Sequence, residues 1–293
     1  MKPTIGFVGL GLMGSGMARN LIQAGFQVTG YDLDPDKVAT FTAYGGKMLY
    51  DPRTLASNVD VIILSLPNSD VVNDVAQKTL KLKETGRESL ILIDTTTADP
   101  GMSKSLAAQL QDTGMAMLDA TISGTSKMCA EKNVTFMVGG DKTVFDRCEP
   151  IFAAMGVQTF YLGPNGSGAL MKLIVNLVLG LNRMVLAEGL SLGKRAGVDA
   201  EQMLNVLKNS AAYSKAVDMK GLKMTTADFL PAEGKLAFHL KDVRLMLDLS
   251  RQLNFPLPLC SLHAQALNSL VAKGRGEWDN AAIVSFYDDL DQS

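Results

Sequence analysis

The sequence predicts an α/β protein in which a doubly wound parallel sheet is followed by an all-helical domain. Two observations predict this class. Strand-like and helix-like segments alternate through the first half of the 293 residues, and strand signals nearly cease after the turn Gly163–Gly166. This length also suits two domains. We therefore expect one domain at 1–163 and a second at 164–293, joined by a long interdomain helix.

The alternation in the first half is typical of parallel strands connected by helical crossovers. Turns at 66–68, 94–97 and 119–124 follow predicted strand ends, and an open parallel sheet binds its ligand at those carboxyl ends. The strand candidates are 4–8, 26–31, 59–66, 90–94, 116–119, 134–138 and 159–162, and the helix candidates after the first are 36–44, 69–79, 101–113 and 143–155.

Helical patterns dominate the second half, beginning with a long apolar segment at 168–196 that has no internal proline. Charged and amide side chains within it, such as Lys172, Arg183 and Glu188, make a membrane span unfavourable. We expect this helix to be buried in protein instead. Further helices are expected at 200–211, 236–253, 259–273 and 279–290.

A glycine-rich run marks the first strand and helix as a nucleotide-binding unit. Gly9-Leu10-Gly11-Leu12-Met13-Gly14 directly follows the apolar segment Ile5–Val8 and opens a helical stretch. In this context Gly9 permits a tight turn, Gly11 lets a diphosphate approach the backbone, and Gly14 lets the helix pack on the strand. The pattern therefore predicts a Rossmann dinucleotide site.

The carboxylate expected to bind the adenosine ribose is Asp32, at the end of the second strand candidate. A 2′-phosphate beside it would meet like-charge repulsion, and Asp34 and Asp36 follow with no arginine nearby. These residues favour NAD, although Lys37 leaves NADP possible. A structural alternative for Asp34 is that it only caps the next helix.

Composition argues against several kinds of partner. The chain has 28 basic and 30 acidic side chains and no basic block, which disfavours nucleic acid and membrane surfaces. Three widely spaced cysteines argue against a disulfide framework and favour a reducing, cytoplasmic setting. His239 and His263 are too isolated to predict a metal site. Because the first strand candidate begins by Thr4, we expect no targeting peptide.

Lys172 and Asn176 lie four residues apart in the long helix candidate, so they share one face. A lysine among apolar neighbours near a cofactor can act as a general acid or base when partial desolvation and a nearby cation lower its pKa. The helix pattern alone leaves the alternative that Lys172 simply extends its ammonium into water.

The whole chain resembles the β-hydroxyacid dehydrogenases, a family that includes 3-hydroxyisobutyrate dehydrogenase, tartronate semialdehyde reductase and sulfolactaldehyde reductase. Four motifs carry the resemblance in the expected order. They are the cofactor run Gly6–Ala18, the substrate segment Asp119–Gly124, the catalytic helix start Gly166–Lys172 with Asn176, and the C-terminal Lys241–Val243.

This resemblance implies hydride transfer between a nicotinamide and the carbon that bears the β-hydroxyl of a small carboxylate. Lys172 would exchange the proton of that hydroxyl, Asn176 would hydrogen-bond the substrate, and Lys241 would approach both substrate and nicotinamide. The resemblance also implies a homodimer or homotetramer. The other implied substrate residues are Ser123, Gly124 and Thr125, and the implied cofactor residues are Gly9, Leu10, Gly11, Leu12, Met13, Gly14, Asp32, Leu66, Pro67, Thr96 and Lys241.

The substrate segment departs from the family pattern. Most members carry a proline where this chain has Thr121, and a second glycine where it has Thr125. We expect the added hydroxyls to reshape the pocket, and Lys127 is either a cation for a doubly charged substrate or a solvated side chain. Sulfolactaldehyde reductases carry an arginine in place of Gly124. The alternatives are a reductase of another small carbonyl or imine, and a non-catalytic dinucleotide-binding module.

Overall fold

A computed structural model describes residues 2–289 and confirms the predicted class, a Rossmann-like sheet followed by helices. The chain divides after Lys172 into two compact units. The strands of the first unit are β1 (Ile5–Val8), β2 (Val28–Tyr31), β3 (Lys47–Met48), β4 (Val61–Leu64), β5 (Ile91–Asp94), β6 (Ala116–Ser123), β7 (Thr135–Gly140) and β8 (Gln158–Tyr161).

The helices of the chain follow the predicted order with a few additions. Those of the first unit are α1 (Leu12–Gln23), α2 (Pro35–Ala43), α3 (Leu55–Asn58), α4 (Ser69–Asp74), α5 (Pro100–Gln111), α6 (Ser126–Ala130) and α7 (Lys142–Met155). Helix α8 (Ser167–Arg195) begins in the first unit and continues into the second, which adds α9 (Ala200–Lys208), α10 (Lys215–Thr226), α11 (Leu236–Leu253), α12 (Pro258–Ala272) and α13 (Val284–Asp289).

The eight described strands form one sheet in the order β3-β2-β1-β4-β5-β6-β7-β8. All neighbouring strands are parallel except β6 and β7, which pair antiparallel. The connection from Ser123 to Thr135 contains only the short α6, and a parallel crossover needs about a dozen residues or more, usually with a full helix. The predicted parallel sheet is therefore mixed at this one pair.

The central strands are apolar on both faces, as expected for parallel strands covered by helices on both sides. Phe7 and Ile63 belong to one buried cluster, and Ile62 and Leu64 belong to another. This alternation fixes the register of the strands, so their carboxyl ends line up at one edge of the sheet.

Several predicted boundaries were wrong for identifiable reasons. Strand β6 runs to Ser123, so most of the predicted 119–124 turn is strand. The 69–79 helix is α-helical only to Asp74 and then forms a π-helical turn. The 279–290 helix begins as a 3₁₀ turn before α13, and its last residue lies outside the described chain.

Helix α8 is long and apolar enough to cross a membrane by length and composition alone. Leu173, Leu186 and Leu190 nevertheless pack into the core of the second unit, as in a core helix of a soluble protein. Only 39% of its most apolar window is buried, so the prediction of a buried helix is correct for one face only. Ile174 and Val185 lie on the exposed side.

Candidate functional site

The glycine run forms a tight turn at the carboxyl end of β1. Gly9 has φ +91°, and a Cβ there would lie 2.3 Å from the carbonyl oxygen of Ser65. A Cβ on Gly14 would lie 1.9 Å from the carbonyl oxygen of Gly9. By contrast, a Cβ on Gly11 would meet nothing within 4 Å. Two glycines are thus required by the fold, and the third borders open space.

The N-terminus of α1 opens beside Gly11. Gly11 is the N-cap residue and supplies no side-chain cap. Helices α2, α5 and α7 differ, because Asp34, Asp99 and Asp141 accept hydrogen bonds from backbone N–H groups of their first turns. The first N–H groups of α1 therefore remain available to an anion, which fits the diphosphate of a dinucleotide.

Asp32 follows β2 and is joined to the glycine run. Its Oδ2 accepts a hydrogen bond from the N–H of Leu10 at 2.6 Å, and its Oδ1 accepts one from the N–H of Asp34 at 2.9 Å. Lys37 Nζ lies 3.9 Å from Oδ1. Sequence reasoning missed the bond to Leu10, which fixes the carboxylate beside the run. An ionised carboxylate has about four acceptor sites, so Asp32 can still accept hydrogen bonds from ribose hydroxyls.

Asp34 has the structural role that was left open as an alternative. Its side chain accepts a hydrogen bond from the N–H of Asp36 at 3.0 Å and caps α2. Lys37 Nζ lies 3.4 Å from its carboxylate. The capping bond lowers the pKa of Asp34, so this side chain stays ionised at neutral pH.

Leu66, Pro67 and Thr96 lie at the carboxyl ends of neighbouring strands β4 and β5. The N–H of Leu66 donates to Thr96 Oγ1 at 3.1 Å, and the N–H of Thr96 donates to Asp94 Oδ1 at 3.0 Å. Thr96 is buried, whereas Pro67 is exposed. These bonds hold the two strand ends together on the edge that carries the glycine run.

The next strand, β6, anchors the start of α8 through Asp119. The two oxygens of this buried carboxylate accept hydrogen bonds from the N–H of Gly166 at 2.7 Å and the N–H of Ala169 at 2.9 Å. Burial raises the pKa of Asp119, and the backbone N–H donors oppose that rise. A residue predicted to lie in the substrate segment is therefore a buried cap at the start of α8.

Lys172 lies beside the same strand. Its Nζ donates a hydrogen bond to the carbonyl oxygen of Ile122 at 2.6 Å, and its side chain is partly buried. Ile122 directly precedes Ser123, the last residue of β6. The fold thus brings Lys172 next to the predicted substrate segment, although the two are about 50 residues apart in sequence.

The residues after β6 have a constrained backbone. Gly124 has φ +149°, and a Cβ there would lie 2.6 Å from Val134 Cγ1. Thr125 Oγ1 accepts from the N–H of Met128 at 3.2 Å and caps α6. Lys127 is exposed. Ser123, Gly124 and Thr125 therefore form a short connection of fixed geometry.

The structure places the added hydroxyl of Thr121 in the interior of the first unit, and its expected effect on the pocket stays a prediction. Thr121 is fully buried, and its Oγ1 donates to the carbonyl oxygen of Gly168 at 2.8 Å. Cys129 is likewise buried, and burial raises its pKa to about 11. Its thiol therefore stays protonated at neutral pH.

In the second unit, one carboxylate holds both predicted polar residues. Asn176 Nδ2 on α8 donates to Asp242 Oδ2 on α11 at 2.9 Å, and Lys241 Nζ lies 3.2 Å from Asp242 Oδ1. Asn176 and Asp242 are buried, and Lys241 is partly buried. Asp242 lies within the Lys241–Val243 motif, but the sequence does not indicate its role, because its partner Asn176 lies 66 residues away.

Two further titratable side chains of the second unit, Arg183 and His263, are buried. Arg183, on α8, has its pKa lowered to about 10 by burial, against the attraction of Asp279 and Asp242. Burial and the Arg183 charge lower the pKa of His263 to about 4. The rings of His239 and His263 are 5.1 Å apart, and no metal-binding cluster occurs among residues 2–289.

Comparison with known proteins agrees with this geometry. Residues 4–163 match the family model for the NAD binding domain of 6-phosphogluconate dehydrogenase. Residues 166–287 match the model for the NAD-binding domain of NADP-dependent 3-hydroxyisobutyrate dehydrogenase. The two matches cover nearly the whole chain, in the order that the resemblance predicted.

Individual relatives support the same assignment. Human mitochondrial 3-hydroxyisobutyrate dehydrogenase is 31% identical over 97% of this chain and 87% of its own length. L-Threonate dehydrogenase of Cupriavidus necator is 30% identical over 98% of this chain and 97% of its own. Among solved structures, 3-hydroxyisobutyrate dehydrogenase of Mycobacterium tuberculosis matches with TM-score 0.89, 27% identity and coverage of 97% and 99%.

The glycine run, the uncapped helix N-terminus and the family matches agree on a nicotinamide dinucleotide as cofactor. The relatives are dehydrogenases of small hydroxyacids. The chain belongs to the β-hydroxyacid dehydrogenase family, enzymes that use a nicotinamide cofactor for hydride transfer with small hydroxyacids.

Proposed function

We propose that this protein is an NAD-preferring β-hydroxyacid dehydrogenase in which Lys172 is the general acid and base. The observation that carries the proposal is the Lys172 Nζ bond to the Ile122 carbonyl at 2.6 Å, one residue before Ser123. This bond supports the proposal because it holds the amine beside the predicted substrate segment, within reach of a substrate hydroxyl bound there.

During oxidation, neutral Lys172 accepts the proton of the substrate hydroxyl at Nζ while the carbinol carbon becomes a carbonyl. During reduction, the Lys172 ammonium gives that proton back to the carbonyl oxygen. The bound nicotinamide supplies the hydride acceptor or donor for the carbon. The Ser123 hydroxyl and the N–H groups of Gly124 and Thr125 bind the carboxylate of the substrate.

We assign Asn176 and Lys241 to substrate binding, with Lys241 also directed to the nicotinamide. Their bonds to Asp242 support this assignment, because a shared buried carboxylate fixes the rotamers of both side chains. The substrate class is a small hydroxyacid or its semialdehyde. Lys127, the candidate for binding a second anionic group of the substrate, is exposed.

The cofactor residues are assigned to Gly9–Gly14, Asp32, Leu66, Pro67 and Thr96. Asp32 carries the NAD preference, because its carboxylate would repel a 2′-phosphate. The partly exposed Lys37 lies between Asp32 and Asp34 and is already engaged by both. This arrangement supports NAD over NADP.

We also propose a domain boundary after residue 163, an oligomeric state and a compartment. The family matches end at 163 and resume at 166, which supports the boundary. Exposed apolar side chains on α8 of the second unit, such as Val178 and Leu192, support a homodimer or homotetramer. The three buried free cysteines support a reducing cytoplasm.

The test is a spectrophotometric screen with NADH and NADPH against tartronate, methylmalonate and succinic semialdehydes and sulfolactaldehyde, with the matching hydroxyacids run in reverse. The Lys172→Ala variant is then compared on the best substrate. We expect turnover to fall by about a hundred- to ten-thousandfold, the contribution typical of general acid–base catalysis. NADH binding should change less than about twofold. Retained turnover in the variant would refute the role of Lys172.

A further inference from the structure

Thr121 joins β6 to the start of α8 through its side-chain hydroxyl. Its side chain is fully buried in β6, its Oγ1 donates to the Gly168 carbonyl oxygen at 2.8 Å, and the Met137 carbonyl oxygen lies 3.4 Å away. This bond between strand and helix depends on the hydroxyl of the side chain.

The acceptor, Gly168, lies in the first turn of α8. In an α-helix its carbonyl also accepts the N–H four residues later, which is that of Lys172. The residue after Thr121 in β6 is Ile122, whose carbonyl accepts from Lys172 Nζ at 2.6 Å. Thr121 thus bonds to the helical turn that precedes Lys172. The next residue of the strand, Ile122, accepts a hydrogen bond from the Lys172 side chain.

The bond of Thr121 is not needed to cap the helix. Asp119 accepts the N–H groups of Gly166 and Ala169, whereas Thr121 donates to a carbonyl and therefore satisfies none of the open N–H groups at the start of α8. The Gly168 carbonyl also keeps its helical partner when the hydroxyl is absent. What the hydroxyl adds is a fixed separation between β6 and the turn that precedes Lys172.

We propose that Thr121 is a positioning residue for Lys172, acting through the Gly168 carbonyl to hold the first turn of α8 against β6. The proposal rests on the proposed function of Lys172 as general acid and base. A small displacement of a catalytic group lowers the rate while leaving substrate binding nearly intact. Thr121 touches neither substrate nor cofactor, so its effect should appear in kcat.

The experiment compares Thr121→Val, which keeps the shape and removes the hydroxyl, with Thr121→Ser, which keeps the hydroxyl. Thr113→Val is the matched control, because Thr113 Oγ1 donates to the Leu110 carbonyl at 2.7 Å at the end of α5. Each variant is measured for kcat and KM, for NADH affinity, and for hydrogen–deuterium exchange of the peptide spanning 169–176.

For Thr121→Val we expect kcat to fall about three- to tenfold, the equivalent of one lost neutral hydrogen bond, with KM and NADH affinity within about twofold. Exchange in 169–176 should accelerate. Thr121→Ser should have the wild-type kcat and the wild-type exchange rate, and Thr113→Val should change neither quantity. This pattern would support the proposal.

Two results would overturn it. Unchanged exchange in Thr121→Val would show that the hydroxyl does not hold the turn, and accelerated exchange with unchanged kcat would show that the turn does not position Lys172. If Lys172→Ala keeps full turnover, the proposed function fails by itself. In that case a positioning role for Thr121 in catalysis is refuted as well. The exchange data still establish whether the Thr121 hydroxyl holds the first turn of α8 against β6.

Discussion

Replacing Gly14 by alanine should lower the stability of the fold, whereas replacing Gly11 by alanine should weaken NADH binding. An added Cβ on Gly14 would lie 1.9 Å from the Gly9 carbonyl oxygen, and that backbone atom is fixed by the turn. We expect Gly14→Ala to lower the free energy of unfolding by about 3 kcal/mol, in the upper part of the range for overpacking. Gly11 has φ −65° and ψ −168° and open space around its Cα.

Gly11→Ala should therefore fold normally. Its backbone angles are open to any residue, so we expect the free energy of unfolding to stay within about 0.5 kcal/mol of wild type. The new methyl group would stand where a diphosphate approaches the N–H groups of α1. Loss of one hydrogen bond to a charged group, about 1.5–3 kcal/mol, corresponds to an NADH affinity about ten- to a hundredfold weaker.

Urea denaturation of both variants and calorimetric titration with NADH separate the two effects. Wild-type NADH affinity in Gly11→Ala would refute the placement of the diphosphate at this helix. A Gly14→Ala variant as stable as wild type would refute the packing argument for the turn.

Two further predictions concern charge. Asp32→Ala should bring the NAD and NADP affinities closer together, because it removes the repulsion of a 2′-phosphate; an unchanged affinity ratio in calorimetric titrations would place cofactor preference elsewhere. The pKa of His263 is about 4 in the fold against 6.5 for a free histidine, so the unfolded chain binds a proton first as pH falls. The free energy of unfolding should therefore decrease as pH falls from about 7 to about 4. In urea unfolding across that pH range, His263→Gln should show a shallower decrease than the wild type. An equal slope in the two proteins would refute the burial argument.

The sequence predicted best what depends on local pattern. The glycine run, the strand candidates of the first unit and the 236–253 helix need only periodicity and turn chemistry, and the structure confirms them apart from the end of β6. The two-residue strand β3 was not predicted. Helix α10 was not predicted, because its buried face includes Lys220 and Gly221 and lacks the apolar repeat of an amphipathic helix. The buried Lys220 is paired with Asp279 at 3.0 Å, a partner that periodicity does not identify.

The site shows the same division. Lys172 and Asn176 were found by their spacing and by family resemblance, but the residues that hold them were not. Asp119 and Asp242 act on partners about 50 and 66 residues away, respectively, so nothing in their neighbourhood indicates the contact. The predicted strand ended at Asp119 and a turn was expected at 119–124, because the polar Asp119 and Thr121 interrupt the apolar pattern of β6. Both side chains are buried and bond to the backbone of the α8 start.

Strand β6 links the fold to the proposed chemistry. Alternate residues of a strand face opposite sides, so Asp119 and Thr121 lie on one face, and both bond to the start of α8. The polar residues that interrupt an otherwise apolar strand are thus those that fix the helix carrying Lys172. On the same strand, the backbone carbonyl of Ile122 accepts a hydrogen bond from the Lys172 amine. Because the strand ends at Ser123, one rigid element places both the proposed proton-exchanging group and the proposed anion-binding connection. Small changes at Thr121 should therefore alter the rate of the reaction before they alter the fold.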